Sequence, residues 1–211
     1  MVTTLLRQAG ASIRVLILFT VLCGIVYPLV TLGVAQIPGL SGPANGSIIA
    51  GADGTPAGSA LIGIDPVAKD PNADPYFHTR PAASAKDILG PADTSTSGGS
   101  NKGTFDAKLT DTINQRKAAI AAREGVVPAA VPPDAVTASG SGLDPDISPA
   151  YAAIQVARVA RVTGLPQDQV QALVAQASSG RILGFIGEPA VNVTELNLSV
   201  ATARAARVAA G

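Results

Sequence analysis

Residues 15–40 read "VLILFTVLCGIVYPLVTLGVAQIPGL", and no charged residue appears between Arg14 and Asp53. An apolar run of roughly 20 residues is long enough to cross a bilayer as a helix. A helix in a water-soluble core would carry a polar stripe, and this run has none. The stretch therefore predicts a transmembrane helix over 15–40. A cleaved signal peptide is the rival, with Gly33-Val34-Ala35 as a small-x-small site. The apolar part before that site exceeds the ~7–15 residues of a signal peptide, which favours a retained anchor. Cys23 reads as a lipid-depth apolar side chain.

Arg7 and Arg14 precede the run, and no Lys or Arg follows until Lys69. By the positive-inside rule, residues 1–14 are cytoplasmic and 41–211 extracytoplasmic, with the chain a single-pass protein of the cell membrane. A lone cysteine inside the span suits an oxidising compartment beyond it. Pro28 predicts a kink. Thr20 and Gly24 form a small-xxx-small pair that lets another helix approach. Lipid and partner helices both remain open as neighbours of the anchor.

Over all 211 residues, Lys+Arg and Asp+Glu number 15 each, so bulk charge recruits no nucleic acid. With one Cys and one His, the chain can close no internal disulfide and offers too few ligands for a Cys/His zinc site.

Past the span, residues 47–49 and "ALIGI" at 60–64 read as short strands about the Asp53-Gly54 turn signal. Three prolines make 65–75 an irregular loop. Phe105, Leu109, Ile113 and Ile120 predict a helix over 104–124, stopped by Gly125. Residues 126–136, with three prolines, read as an extended connector. A helix follows over 149–163, with Ser148 as N-cap, Arg158 and Arg161 facing out, and Gly164 as stop. Another starts at Pro166 and ends near Gly180. The last starts at Asn192, where Glu195 completes a capping-box pattern. The expected class is α+β: one N-terminal transmembrane helix, then a helix-weighted extracytoplasmic α+β domain.

Three chemistries deserve weighing. A serine hydrolase would need His78 as base and Ser100, Ser139 or Ser141 as nucleophile, yet none lies in G-x-S-x-G. "SGGSNKGT" at 97–104 spaces Gly98 and Gly103 as a phosphate loop does, but Lys102 precedes the second glycine instead of following it. A small-anion nest or a turn into the next helix are the remaining readings. Asp144 and Asp146 give a cation two carboxylates where calcium wants six to eight oxygens, so helix-start chemistry is favoured. "TASGSGLDPDISP" at 137–149 reads as a backbone device, with Gly140 and Gly142 supplying positive φ and Asp144 accepting backbone hydrogen bonds near the helix start.

"YFHTRP" at 76–81, "SGGSN" at 97–101, "TASGSGLDPDISPA" at 137–150 and "LGFIGEPAVNVTELN" at 183–197 together resemble the C subunit of the Kdp potassium-transporting ATPase, in order and along nearly the whole chain. The resemblance implies an accessory, non-catalytic subunit of a high-affinity, ATP-driven potassium uptake complex. Its implied partners are a channel-like potassium-translocating subunit, a P-type ATPase subunit and a small single-span subunit. It implies a role in assembly and as a catalytic chaperone raising ATP affinity, ATP reaching the complex through the ATPase subunit. The nucleotide proposal falls on Ser97, Gly98, Gly99, Ser100 and Asn101. No catalytic residue, resident cofactor or metal is implied. The chain departs from the family pattern at Asp146 (usually His), Lys102 (often Leu) and Ile64 (often Gln). Rival functions are a membrane-anchored extracytoplasmic enzyme using His78 and a small-anion-binding protein using 97–104.

Overall fold

The computed structural model describes residues 2–210. The chain separates into two units between Ser47 and Ile48.

In the first unit, α1 (Val2–Val21), a π-helical turn (Leu22–Val26) and α2 (Tyr27–Ala35) make one continuous helical run. None of its residues is buried, and Leu16 and Leu29 are 66% and 61% exposed. The helix starts earlier than the apolar run because Leu5, Leu6, Gln8, Ala9 and Ala11 are good helix formers. It stops at Ala35 because Pro38 cannot continue it and biases Ile37 away from helix. Gly39 then takes a left-handed φ of 93°, and α3 (Ser41–Ala44) is a single turn. The part from residue 15 to Ala35 spans roughly 30 Å, the thickness of a hydrocarbon core. At Pro28 the helix responds with the wide turn before it. Tyr27 N–H reaches back to the Leu22 carbonyl, which leaves room for the proline ring. Thr31 Oγ1 donates to the Tyr27 and Pro28 carbonyls at 3.1 and 2.9 Å.

The second unit opens with the antiparallel hairpin β1 (Ile48–Ala50) and β2 (Pro56–Ser59). The expected turn is present: Asp53 Oδ1 accepts from Thr55 N and Oγ1 at 3.0 and 2.7 Å. The second strand, however, lies before "ALIGI". That segment instead crosses residues 143–145, where Gly63 N–H donates to the Leu143 carbonyl at 2.8 Å. A Cβ on Gly63 would lie 2.5 Å from the Asp144 carbonyl oxygen, so the crossing requires glycine.

Helix α4 (Ala107–Glu124) is capped by Asp106 and ended by Gly125 at φ 69°. Phe105 precedes the cap and is fully exposed, so it is not part of the helix's buried stripe. The proline-rich connector is not extended: it holds a 3-10 turn (Pro128–Ala130) and α5 (Pro133–Val136), each using proline at a first helical position. β3 (Asp146–Ile147) precedes α6 (Pro149–Thr163), whose bounds match the sequence reading. Ser148 Oγ accepts from Tyr151 N and donates to Asp134 Oδ1. α7 (Gln167–Gln176) ends earlier than expected, because β4 (Ser178–Ser179) joins β5 (Ala190–Asn192) in the sheet order β3-β5-β4. α8 (Val193–Ala210) begins with Asn192 Oδ1 accepting from Glu195 N at 3.1 Å. The reciprocal half of that capping box is not needed, since Asn192 N–H already donates to the Ala177 carbonyl.

The second unit is thus α+β, weighted to helix. Its core gathers Tyr151, Val156 and Val159 of α6 with Phe77, Ile120, Val170, Val191 and Leu196. Each such side chain contributes about 1.5–3 kcal/mol on burial. Residues 76–79 cross this core with no strand partner. Side-chain amides serve instead: Asn197 bonds both backbone polar groups of Phe77, and Gln155 those of His78.

Candidate functional site

The loop of Ser97, Gly98, Gly99, Ser100 and Asn101 lies against the 139–143 segment as a backbone seam. Gly98 N–H donates to the Ser141 carbonyl at 2.8 Å, and Ser97 Oγ donates to the same oxygen at 3.0 Å. A Cβ on Gly99 would meet the Gly140 carbonyl oxygen at 3.2 Å. One on Gly142 would meet the Gly98 carbonyl oxygen at 3.1 Å. The seam is closed by Ser139 N–H, which donates to the Pro81 carbonyl, and by Ser139 Oγ, which accepts from Gly142 N. Two glycine-rich motifs that look like ligand loops are therefore partly each other's ligand.

Within this seam Gly142 takes φ 75°, while Gly140 does not enter the left-handed region. Gly140 is instead the surface against which Gly99 rests. Asn101 adopts φ 52°. Gly99, Ser100 and Lys102 border a recess of about 470 Å³ together with Lys86, Asp87 and Arg116. Ser97, Gly98 and Asn101 do not line it.

A second group of polar side chains lies in the core. His78 is buried, with Nδ1 2.9 Å from Asp65 Oδ1 and Nε2 2.5 Å from Asp74 Oδ2. An ionised carboxylate can only accept, so two of them on the two nitrogens match an imidazolium that donates from both. Burial pulls its pKa down, but the hydrogen bonds to Asp65 and Asp74 outweigh that and raise it. Burial likewise pushes Asp74 up, and His78, the Tyr76 N–H and Arg158 bring it below the ordinary carboxylate value. Arg158 is buried, against the expectation that it faces out; Arg161 does face out. The Arg158 guanidinium grips Glu124 through Nε and Nη2 at 2.9 and 3.2 Å, and donates to the Asp74 and Tyr76 carbonyls. Arg123 completes the group by donating to Glu124 at 2.6 Å and to the Tyr151 hydroxyl at 3.0 Å.

Three cations (His78, Arg123, Arg158) thus meet three carboxylates (Asp65, Asp74, Glu124), and the knot is neutral when His78 is charged. Helical periodicity could not find Arg158, because its partners come from 34 and 84 residues away. Arg116 was missed for the same reason. It is buried and donates to the Ile88, Val136 and Ala82 carbonyls, and burial lowers its pKa.

This geometry bears on the enzyme reading. Both His78 nitrogens are occupied by carboxylates. Ser139 and Ser141 bond to each other and to backbone in the seam. Although the cap of α6 is Ser148, Asp144 does accept a backbone hydrogen bond just ahead of that helix. It closes a local turn by accepting from Asp146 N at 3.0 Å, and faces Arg80 Nη1 at 3.3 Å. Among the described residues, no group of three or more His, Cys, Asp or Glu side chains could hold a metal ion.

The seam and the knot both lie within a stretch that matches a known family. Residues 9–202 match the sequence profile of KdpC, described as the K⁺-transporting ATPase, c chain. This chain belongs to the KdpC family. A "Potassium-transporting ATPase KdpC subunit" of Kineococcus radiotolerans is 44% identical over 201 residues, covering 95% of this chain and 96% of that one. Proteins of the same description from Variovorax paradoxus and Gemmatimonas aurantiaca are 46% and 48% identical, covering 90% and 92% of this chain and 93% and 91% of theirs. Membership in the KdpC family makes the chain a subunit of a potassium-transporting ATPase, and so implies partner subunits.

Proposed function

We propose that the chain is an accessory, non-catalytic subunit that holds together the channel-like and P-type ATPase subunits of the potassium uptake complex, along with a small single-span subunit. The observation that carries this reading is an apolar helix with no buried residue, on a chain that matches a transport-ATPase subunit family along nearly all its length. Such a helix needs lipid or partner helices around it. Arg7 and Arg14 at one end support a cytoplasmic N-terminus, with residues 41–211 outside, by the positive-inside rule.

An outside location keeps the Ser97–Asn101 loop away from cytoplasmic ATP. Any effect on ATP affinity is then indirect, through packing against the ATPase subunit. The seam favours this account, because the Gly98 N–H and the Ser97 hydroxyl are already engaged.

Co-purification in mild detergent tests the subunit reading: the tagged chain should bring the channel-like and ATPase subunits in fixed ratio, and a chain that returns alone overturns it. A reporter active only outside the cytoplasm, fused after Gly211, should be active; activity of a cytoplasmic-only reporter at that site reverses the topology. Calorimetry with ATP on the full chain in detergent should show no saturable heat. Micromolar binding that is lost on changing Ser97 and Asn101 would restore direct nucleotide contact.

A further inference from the structure

The loop between β4 and β5 holds apolar side chains that the core does not use. Residues 181–188, "RILGFIGE", form a small hairpin in which Ile182 and Ile186 exchange backbone hydrogen bonds at 2.9 and 3.0 Å. Arg181 Nη2 and Glu188 Oε2 close its base at 2.6 Å. At the tip, Leu183 and Phe185 are 80% and 69% exposed, and Ile182 and Ile186 flank them, also exposed.

The tip turn has Leu183 at φ 54° and Gly184 at φ 82°, with Phe185 N–H donating back to the Ile182 carbonyl. The loop between Ile182 and Ile186 is three residues long, and the two consecutive left-handed residues at the centre of its turn are a position that favours Asn-Gly. Leucine is disfavoured there twice: its β-carbon crowds the left-handed backbone, and its side chain is left in water. Asparagine would remove both penalties. A rule broken locally with no gain to the isolated fold points to a contact made elsewhere.

The finger's chemistry narrows what it touches. Its only charges, Arg181 and Glu188, neutralise each other, whereas attraction to anionic lipid takes a cluster of basic residues. It has no Trp or Tyr to sit at a membrane interface. Two copies meeting finger to finger would bury far less than the roughly 1,000 Å² that a specific interface needs. A preformed, convex, uncharged tip fits an apolar recess, and the family is one of subunits.

We propose that Leu183 and Phe185 are the anchor by which the globular unit docks into an apolar recess on the outer face of a membrane-embedded partner subunit of the same transport complex. This rests on the subunit reading and the outside location argued above.

The test uses the full complex in detergent and the double variant Leu183→Asn/Phe185→Ser. Asparagine suits a left-handed turn, so the full chain's melting temperature should hold or rise, while dissociation of the chain from its partners becomes about tenfold faster. A photo-crosslinking residue at position 185 should join the chain to a partner subunit. Unchanged retention of the double variant, in a complex where the parent assembles, overturns this proposal alone. Crosslinks from 185 only to lipid, or only to a second copy of the chain, also overturn it. A parent chain that retrieves no partner overturns the subunit reading and this inference with it.

Discussion

Two regions of the globular unit hold irregular backbone in place by opposite means. The knot around His78 and Arg158 fixes residues 65–80 with long, charged side chains buried in the core. The seam between 97–101 and 139–143 fixes its loops by having almost no side chains, so that carbonyls and N–H groups meet directly. Both regions satisfy backbone polar groups that no sheet reaches. The difference predicts opposite sensitivities. The knot should respond to charge and pH, and the seam to added carbon atoms.

The strongest way to break the comparison is Arg158→Ala. It takes from Glu124 and Asp74 the guanidinium they share, leaving Arg123 on the one and His78 on the other and the buried knot one positive charge short, a change that costs about 3–5 kcal/mol. For a unit of this size that lowers Tm by roughly 6–20 °C. Thermal unfolding of the full chain in detergent measures it. Replacing Arg158 and Glu124 together with methionine should recover much of the loss, since burying neither charge is less costly than burying one. A single variant with parental Tm would mean that the knot is an ornament of the core and not its support.

Gly142→Val tests the seam. It combines a β-branched residue at φ 75° with a Cβ 3.1 Å from the Gly98 carbonyl oxygen, and should cost about 2–3 kcal/mol. Gly140→Ala, with open space around its Cβ position and no positive φ, should stay within about 0.5 kcal/mol of the parent. The contrast is sharp because the two positions are two residues apart. Equal losses would show that the segment is sensitive to any side chain, and not to this particular backbone approach.

The pH response separates the regions further. The folded pKa of His78 is raised, so its stabilising contribution is complete below its ordinary value of 6.5 and is lost as pH rises through the raised value. That of Asp74 is lowered, so its contribution is present above its ordinary 3.8 and is lost as pH falls through the lower value. On the alkaline side stability should decline by up to about 1.4 kcal/mol per pH unit while His78 titrates. Chemical denaturation from pH 5 to 10 should show this decline in the parent and in Gly140→Ala, and a flatter profile in His78→Gln. A parent profile that is flat above pH 6.5 contradicts the imidazolium between two carboxylates.

The two regions also differ in how far they were readable. Local chemistry was plain: Ser148 before Pro149, Asn192 three residues before Glu195, and Gly125 and Gly164 in left-handed stops all placed helix ends. The seam was half readable, since its glycines announce tight backbone but not which segment they meet. The knot was not readable. Arg158 has the spacing of an outward-facing charge on α6, and only the return of residues 65–80 across the core supplies its partners. Of the short strands only β1 was readable, and the others were not for a related reason. Two- and three-residue strands are fixed by what lies beside them, as Ser178 pairing with Val191 shows, and not by any period in their own sequence.

The smallest effect is expected where the two regions touch. Arg80 follows His78 and Thr79 out of the knot, and its guanidinium reaches Thr137, Ala138 and Asp144 beside the seam at 3.3–3.4 Å. The Arg80–Asp144 side chains remain 25% and 30% exposed, so the pair is partly screened and contributes less than about 1 kcal/mol. Asp144→Asn keeps an Oδ1 that can accept from Asp146 N, which preserves the local turn. The variant should therefore fold with a Tm within a few degrees of the parent, co-purify with the partner subunits, and support potassium-stimulated ATPase activity near the parental level. Two results would revise the picture in different directions. A loss above about 2 kcal/mol would mean that Arg80 couples knot and seam into one cooperative unit. A complex that is stable and fully assembled but inactive would instead give the Asp144 carboxylate a part in transport that its place in a backbone turn does not explain.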